Sequence, residues 1–322
     1  MGHLPTLPLG ASAIDRNAVS RSNPNLIDDL LTSGEARILF LRGTEVRLHE
    51  ESAGLQLLLA PASAASETQR ENLFYLGTTT TEGIDFDYSV LPAGTSILAQ
   101  SFDQDSKDAP SGNWHNLRRV SNALTPLDAG IFSQASALAN WHRTHKHCPA
   151  CGSANVVADA GWSRVCVACS KQVFPRTDPA IIVAVRDEQD RLLLGSQGSW
   201  SANRWSVLAG FVEAGESLNA AVEREVFEEA GIRVSEIEFL GSQPWPFPYS
   251  LMFGFSARAV AGSVAVPDGD EIVRLRWFSR EELLSEVAQL ELPGRLSIAR
   301  ALIEEWLGSS LEDAVQGGGG RK

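Results

Sequence analysis

Cysteine, basic residues and long apolar runs are all scarce in this chain of 322 residues. No apolar run approaches the roughly 20 residues that a membrane-spanning helix needs. The opening stretch MGHLPTLPLGASAIDR also lacks the basic-then-apolar layout of a signal peptide. We therefore expect a chain with neither a membrane anchor nor a secretion signal.

The chain contains only four cysteines, and all of them lie between Cys148 and Cys169. A secreted domain held together by disulfides would use more cysteines and spread them more widely. This distribution excludes a disulfide-stapled scaffold and favours a reducing, cytoplasmic setting.

Basic residues are outnumbered by acidic ones, 27 to 40, which gives a formal net charge of −13. A sequence-independent grip on nucleic acid relies on basic surface to neutralise phosphates, so this balance argues against one. If the substrate carries phosphates, metal ions must supply much of the positive charge.

The length and a hydrophobic content of 43 % permit two domains, or three if one is small. Short β-rich runs separated by turn residues predict a small β-rich N-terminal domain over residues 1–124. A helical pattern and the cysteine cluster follow over 125–173. Strands then alternate with helices over 174–311, which predicts an α+β sandwich. Residues 312–322 end in GGGGRK and are expected to form a flexible tail.

The cysteines form two C-x-x-C pairs, Cys148 with Cys151 and Cys166 with Cys169, and 14 residues separate the pairs. Each pair can present two thiolates from a tight turn, so the two together complete a tetrahedral zinc site. Gly152 suits the positive φ that such a turn needs. Four thiolates leave no position open for a substrate, so the zinc is expected to be structural. Free buried thiols or a redox pair are the alternatives.

Acidic residues cluster on a predicted helix within GFVEAGESLNAAVEREVFEEAGI, residues 210–232. Glu225, Glu228 and Glu229 stand at i, i+3 and i+4 and therefore share one helix face. Ser217 is a good N-cap, and Gly231 is placed to end the helix. A solvated face would usually mix lysines among its acids, whereas clustered carboxylates suit Mg²⁺ or Mn²⁺. Metal binding and a solvated face both stay open on spacing alone.

The same segment resembles the Nudix box, whose fixed residues are Gly, Glu, Arg-Glu, an aliphatic, Glu-Glu, Gly and an aliphatic. The resemblance implies a Nudix α/β/α sandwich and hydrolysis of a nucleoside diphosphate linked to another group. Arg224 is placed to orient the glutamates or to pair with Glu216. Every fixed position of the box is filled, by Gly210, Glu216, Arg224, Glu225, Val226, Glu228, Glu229, Gly231 and Ile232.

The Nudix resemblance also implies roles for the carboxylates. Glu225 and Glu229 would bind the catalytic Mg²⁺ or Mn²⁺ together with the backbone carbonyl of Ala209, and Glu228 would support them. Glu229 is the first candidate for the catalytic base, and Glu225 is the second.

The stretch SQPWPFPYS, residues 242–250, holds three prolines and three aromatic residues. Proline fixes φ and removes a backbone donor, so we expect neither a helix nor a central strand here. A stiff aromatic platform of this kind lowers the ordering cost of binding a flat base.

A four-cysteine ribbon before the box and SQPWPFP after it together resemble the NADH pyrophosphatase subfamily of the Nudix hydrolases. WHRTHKHCPACG and LAGFVEAGES resemble it as well, and the resemblance covers residues 125–307. It implies cleavage of NAD(H) to nicotinamide mononucleotide and AMP, and removal of NAD caps from RNA 5′ ends. It further implies a homodimer in which the loop lies near the subunit interface.

The subfamily resemblance implies that Phe174 and Phe211 wall the nucleotide pocket and that Trp245 stacks on the substrate. Core packing is the alternative for Phe211. Glu271 would add a metal carboxylate, unless its acidic patch is a solvated turn. Phe174 stands where the family commonly has tyrosine, and Tyr249 where glutamine is common. The implied substrate-binding residues are Phe174, Phe211, Gln243, Pro244, Trp245, Pro246, Phe247, Pro248, Tyr249, Ser250, Met252 and Ala299.

Two other functions compete with this interpretation. One is a Nudix hydrolase of ADP-ribose, of a dinucleoside polyphosphate or of coenzyme A, which would not be expected to combine a zinc ribbon with SQPWPFP. The other is a module that binds NAD-type ligands or RNA ends without hydrolysis, which would need no complete set of box carboxylates.

Overall fold

The computed structural model describes residues 4, 7, 9–10, 13–51, 54–116 and 124–313, which form two compact units. The N-terminal unit is Pro8–Thr177 together with Pro244–Tyr249. The C-terminal unit is Met1–Leu7, Asp178–Gln243 and Ser250–Lys322. From residue 314 onward, the tail that we predict to be flexible lies outside the described residues.

The N-terminal unit begins with a mixed sheet and two helices. Its helices are α1 (Leu26–Ser33) and α2 (Pro126–Thr144). Its strands are β1 (Ile14–Asp15), β2 (Arg37–Arg42), β3 (Glu45–Glu51), β4 (Gly54–Leu57), β5 (Leu59–Pro61), β6 (Leu73–Thr79), β7 (Gly83–Ile84), β8 (Val90–Leu91), β9 (Ser96–Phe102) and β10 (Trp114–Asn116).

Eight of these strands form one sheet in the order β1-β6-β9-β2-β3-β10, with β4 beside β3 and β5 beside β2. The central strands β2 and β9 run parallel, whereas β7 and β8 pair separately. Side chains of β2 alternate between the two faces, as the period of a strand requires. Leu39 and Leu41 pack in the cluster that includes Ile131 of α2, and Ile38 and Phe40 pack in the cluster on the side of α1.

A small three-stranded sheet follows α2 in the same unit. It consists of β11 (Asn155–Ala158), β12 (Ser163–Cys166) and β13 (Gln172–Val173), paired in that order. The first cysteine pair precedes β11, and the second begins at the end of β12. This is the expected ribbon, because the sheet brings two chain-distant turns to one end.

The C-terminal unit contains a mixed sheet of six strands. The strands are β14 (Asp178–Arg186), β15 (Leu192–Gln197), β16 (Leu208–Phe211), β17 (Val234–Trp245), β18 (Ser250–Ala259) and β19 (Ile272–Phe278). Their order in the sheet is β17-β18-β14-β15-β19, with β16 beside β14. The helices are α3 (Leu218–Ala230), α4 (Arg280–Glu286) and α5 (Ile298–Leu307).

Strand β14 shows why helices cover both faces of this sheet. Ile181 and Val183 pack in the cluster that contains Val226 of α3. Ile182 and its neighbours on the other face pack in the cluster that contains Leu302 of α5. Both faces of the strand are apolar, so both are buried. The predicted fold, an α/β/α sandwich preceded by a zinc ribbon and a β-rich domain, is confirmed.

The proline–aromatic stretch is more strand-like than we predict from its composition. Strand β17 continues through Pro244 to Trp245, and β18 resumes at Ser250, so only residues 246–249 form the turn. The physical reason is that β17 is an edge strand, which has one side without a ladder partner and therefore tolerates proline.

Across the described ranges, no helix combines the length and the apolar character needed to cross a bilayer.

Candidate active site

Helix α3 carries the box glutamates, and both of its ends are capped as predicted. The Ser217 hydroxyl accepts a hydrogen bond from the Ala220 backbone N–H at 3.2 Å. Gly231 ends the helix at φ 68°, in the left-handed region that favours glycine. Ala221 and Val226 are fully buried against the sheet, which fixes the direction in which the opposite, acidic face points.

The three box glutamates lie at different depths. Glu229 is only 4 % exposed, the Glu225 side chain is mostly buried, and the Glu228 side chain is more than half exposed. One carboxylate oxygen of Glu229, Oε2, is buried and has no hydrogen-bond partner among the residues that the structure describes. A solvent-exposed helix face without a ligand does not account for the Glu229 carboxylate, because burying an unpaired carboxylate costs free energy.

Arg224 organises the acids around it. Its Nε and Nη2 donate to the two carboxylate oxygens of Glu216, each at 2.8 Å. Its Nη1 donates to Glu225 Oε1 and to Glu228 Oε2, both at 2.9 Å, and Nη2 also donates to the Phe211 carbonyl at 2.9 Å. Arg224 therefore makes both of the contacts that the sequence left as alternatives: it pairs with Glu216 and it orients the other glutamates.

Gly210 is required by the Glu225 side chain rather than by an unusual backbone conformation. A Cβ added at Gly210 would lie 1.9 Å from Glu225 Cδ and about as close to both carboxylate oxygens. Strand β16 thus passes directly over the carboxylate, and only a residue without a side chain leaves room for it.

Burial first, and then the negative charges of Glu271, Glu225, Asp268 and Glu228, together raise the pKa of Glu229 to about 8. A divalent cation beside these carboxylates would offset that repulsion and supply the partner that Glu229 Oε2 lacks. Hard oxygen donors, one of them orphaned and buried, are the donor set that Mg²⁺ or Mn²⁺ takes. The residues present therefore fit a divalent metal ion.

Glu271 and Ala209 are the two other metal-binding candidates, and they lie at different parts of the same sheet. Glu271 is exposed immediately before β19, and its Oε1 accepts a hydrogen bond from Gln197 Nε2 of β15 at 3.2 Å. Ala209 lies on β16 opposite Ile182 of β14. Gln197 is a residue that the sequence gives no reason to single out, since a glutamine at a strand end is common.

The side chain of Gln243 is fully buried, and both of its polar atoms form hydrogen bonds. Its Nε2 donates to the Leu296 carbonyl, and its Oε1 accepts from the Ile298 backbone N–H, both at 2.8 Å. These bonds tie β17 to the start of α5, where the N–H of Ala299 donates to Ser297 Oγ. The amide of Gln243 thus holds backbone in place.

The other expected substrate residues differ in exposure. Phe211 is 61 % exposed and Phe174 is 62 % exposed, so neither packs in a core of the described chain. Ser250 and Met252 lie on β18, opposite Asp178 and Ala180 of β14.

Residues 244–249 belong to the N-terminal unit, where helix α2 holds the turn. Asn140 Nδ2 lies 3.0 Å from both the Pro246 and the Pro248 carbonyls and donates to them. The Trp245 and Phe247 rings meet edge to face with centroids 5.2 Å apart. Asn140 is a site residue that sequence reasoning missed, since 106 residues separate it from Pro246.

The ring of Tyr249 lies 5.2 Å from the guanidinium carbon of Arg176. This is within the range of a cation–π contact.

The four cysteine thiols converge as the ribbon motif predicts. Their sulfur atoms all lie within 4.8 Å of one another, with separations of 3.7 Å for Cys148 to Cys169 and 3.5 Å for Cys151 to Cys166. Tetrahedral Zn²⁺ with Zn–S bonds of about 2.3 Å places sulfurs about 3.8 Å apart. Gly152 has the expected positive φ of 76°. The set fits a structural zinc ion.

A mixed sheet lies between helices α3 and α5, with the box glutamates on α3 and Gly210 on strand β16 beside them. This arrangement defines a Nudix domain. The comparisons with known proteins agree with this class. A NUDIX domain model matches residues 176–300, an NADH pyrophosphatase zinc ribbon model matches 143–174, and an NADH pyrophosphatase-like rudimentary NUDIX domain model matches 35–141. The chain therefore contains a Nudix domain, preceded by an NADH pyrophosphatase zinc ribbon and an NADH pyrophosphatase-like rudimentary NUDIX domain.

Relatives with curated names match part of this chain. A protein of Mycobacterium bovis named NAD-capped RNA hydrolase NudC is 41 % identical over 201 residues, which are 59 % of this chain and 64 % of the relative. The human NAD-capped RNA hydrolase NUDT12 is 36 % identical over 198 residues, 57 % of this chain and 43 % of the relative. The match spans less than two thirds of the length of these relatives.

Among solved structures, a NUDIX hydrolase from Nitrosomonas europaea is 20 % identical and aligns with a TM-score of 0.39. The alignment covers 51 % of this chain and 94 % of that chain.

Proposed function

We propose that this protein hydrolyses the pyrophosphate bond of NAD(H) to nicotinamide mononucleotide and AMP. We also propose that it removes NAD caps from RNA 5′ ends by the same reaction. The observation that carries the proposal is the buried, unpartnered carboxylate oxygen of Glu229 beside Glu225. The resemblance of the ribbon and the loop to NADH pyrophosphatases, and the names of the similar relatives, supply the substrate.

In the proposed reaction, water attacks one phosphorus of the anhydride, and the bond from that phosphorus to the bridging oxygen breaks. The bridging oxygen leaves with the second phosphate, so one water yields the two mononucleotides. Glu229 is proposed to accept the proton of the attacking water, with Glu225 as the alternative. Arg224 keeps Glu225 and Glu228 in fixed positions and does not itself need to touch substrate.

Glu225, Glu229, Glu271 and the carbonyl of Ala209 would hold Mg²⁺ or Mn²⁺, with Glu228 in support. When bound, such an ion neutralises phosphate oxygens and lowers the pKa of coordinated water. It would also compensate for the acidic balance of the chain, which has a net charge of −13.

The substrate is proposed to contact aromatic side chains. Phe174 and Phe211 are each exposed as large rings, and a bound base would cover apolar surface on either of them. Trp245 is half-buried with its ring braced edge to face by Phe247, so it is ordered before a ligand arrives. Gln243 is proposed to act by positioning the start of α5, near Ala299. The remaining loop residues, Pro244, Pro246, Pro248, Tyr249, Ser250 and Met252, are proposed to shape the same substrate site.

The proposed domain division is residues 1–124, 125–173, 174–311 and a tail of 312–322. The protein is further proposed to act as a cytoplasmic homodimer, on the basis of its clustered cysteines and its resemblance to NADH pyrophosphatases.

The test is to incubate the protein with NADH and Mg²⁺ or Mn²⁺ and to quantify AMP and nicotinamide mononucleotide. Glu229→Gln should fold normally and lose activity by about 10²- to 10⁴-fold, because it removes the candidate base. Glu223→Gln is the matched control, since Glu223 is an exposed glutamate on the same helix outside the cluster. Near wild-type turnover in Glu229→Gln would contradict the assignment.

Two results would redirect the proposal. AMP released from ADP-ribose but not from NADH would indicate another Nudix substrate. Tight NADH binding without any product, in the presence of either metal, would indicate a binding module.

A further inference from the structure

A cavity of about 400 Å³ lies in the N-terminal unit beside the proline–aromatic turn. Its polar lining is Thr44, Asn116, Asn140 and Arg143, and its apolar wall is residues 246–248. The volume falls within the range of about 300–1,000 Å³ that small-molecule sites occupy. Neither the glutamate helix nor the zinc ribbon contributes to this lining.

Among the described residues that line the cavity, Arg143 is the only charged one. It follows Asn140 by one helical turn on α2, so both side chains share a face. Its guanidinium makes no hydrogen bond or ion pair with the part of the chain that the structure describes. The acid beside Thr44 in sequence, Glu45, is already neutralised by Arg42 and also bonded by Gln104. Arg143 is therefore available to an anion.

The rest of the lining suits a nucleotide rather than a bare anion. The Thr44 hydroxyl accepts a hydrogen bond from Asn116 Nδ2 at 3.3 Å, so two polar groups of the lining lie side by side. Phe247 and the two prolines present a flat apolar surface that Asn140 holds through the proline carbonyls. A cation, amide and hydroxyl groups, and a flat apolar wall match a phosphodiester, a ribose and a base respectively.

We propose that this cavity binds the nucleotide that follows the NAD cap of a capped RNA, with Arg143 contacting the connecting phosphodiester. The inference rests on the proposed function. Free NADH carries no phosphodiester on its adenosine ribose, so the cavity would distinguish the two substrates. One phosphate contact is also what a chain with a net charge of −13 can offer without gripping the whole RNA.

The experiment compares Arg143→Ala with wild type on NADH and on an NAD-capped oligoribonucleotide. The variant should lower kcat/KM for the capped RNA about tenfold, the effect of one charged hydrogen bond, and change that for NADH less than threefold. The slope of log kcat/KM against log salt for the capped RNA should shrink by about 0.7. Arg143→Lys should restore part of the loss.

Lys107→Ala is the matched control, because Lys107 is an exposed cation of the same unit outside the cavity lining. Equal losses on both substrates in Arg143→Ala, or no loss on the capped RNA, would overturn the inference. If wild type cleaves neither substrate, the proposed function fails. The anisotropy of a labelled NAD-capped oligoribonucleotide, measured with wild type and Arg143→Ala, then still tests the cavity, since unchanged binding would refute it.

Discussion

At the residue scale, the position of one carboxylate depends on the absence of a side chain on the neighbouring strand. Gly210 has ordinary backbone geometry, so its requirement comes from the Glu225 carboxylate packed over it. Arg224 then fixes that carboxylate from the other side. Gly210 and Arg224 therefore fix the position of the Glu225 carboxylate, although neither residue could do the chemistry of that carboxylate.

Gly210→Ala should leave the fold intact and reduce NADH hydrolysis by about 100-fold. The added methyl group must displace the Glu225 carboxylate, and a shift of about 1 Å in a catalytic group costs on this order. Steady-state kinetics at saturating Mn²⁺ or Mg²⁺ measure the effect. Unchanged kcat with unchanged thermal stability would show that the position of Glu225 does not matter.

At the element scale, a buried histidine joins helix α2 to the zinc ribbon. His142 stacks on Phe74 with centroids 4.2 Å apart, and its Nε2 lies 2.8 Å from the Gly161 carbonyl. Its Nδ1 accepts from Arg164 Nε at 2.9 Å, so the ring is neutral and donates through Nε2. Burial is the main cause that lowers the pKa of His142 to about 4. The hydrogen bond to the Gly161 carbonyl opposes this shift, and the nearby charges of Arg164 and His145 add to it.

Stability should therefore fall as the pH drops from 6.5 towards 4. In that window the unfolded histidine gains a proton that the folded one refuses, and the full effect is about 3 kcal/mol. Denaturant unfolding at several pH values measures the slope. His142→Gln, which cannot titrate, should lose stability at neutral pH but show a shallower dependence between pH 6.5 and 4. An unchanged slope would assign the acid sensitivity to another group.

At the scale of the whole molecule, charge constrains both ligands and assembly. A chain with a net charge of −13 repels phosphates and repels its own copies. Binding of the proposed pyrophosphate substrate thus depends on cations. Association of two copies of the chain depends on a surface where the repulsion between their negative charges is small or is screened by salt.

Light scattering should give about twice the chain mass of 34.7 kDa, as expected for the proposed homodimer. The dimer fraction should rise between low salt and about 0.15 M, since screening weakens repulsion between like-charged copies. A mass of one chain at every salt concentration would contradict the homodimer.

Local patterns made much of this molecule predictable. The caps Ser217 and Gly231, the acidic face of α3 and the four-thiol ribbon all follow from spacings of a few residues. The inclusion of Pro244 in strand β17 was not predictable from the local sequence, because composition does not reveal that β17 is an edge strand.

The sequence by itself determined the Nudix box, the glutamate helix and the four-cysteine cluster, because each is set by residues close along the chain. Only the tertiary structure decided that Glu229 is the deeply buried acid, that Gln243 braces α5, and that Asn140 holds the loop. These contacts join residues that lie far apart in sequence. Burial and hydrogen bonding between them depend on how the sheets and helices pack, and spacing along the chain carries no record of that.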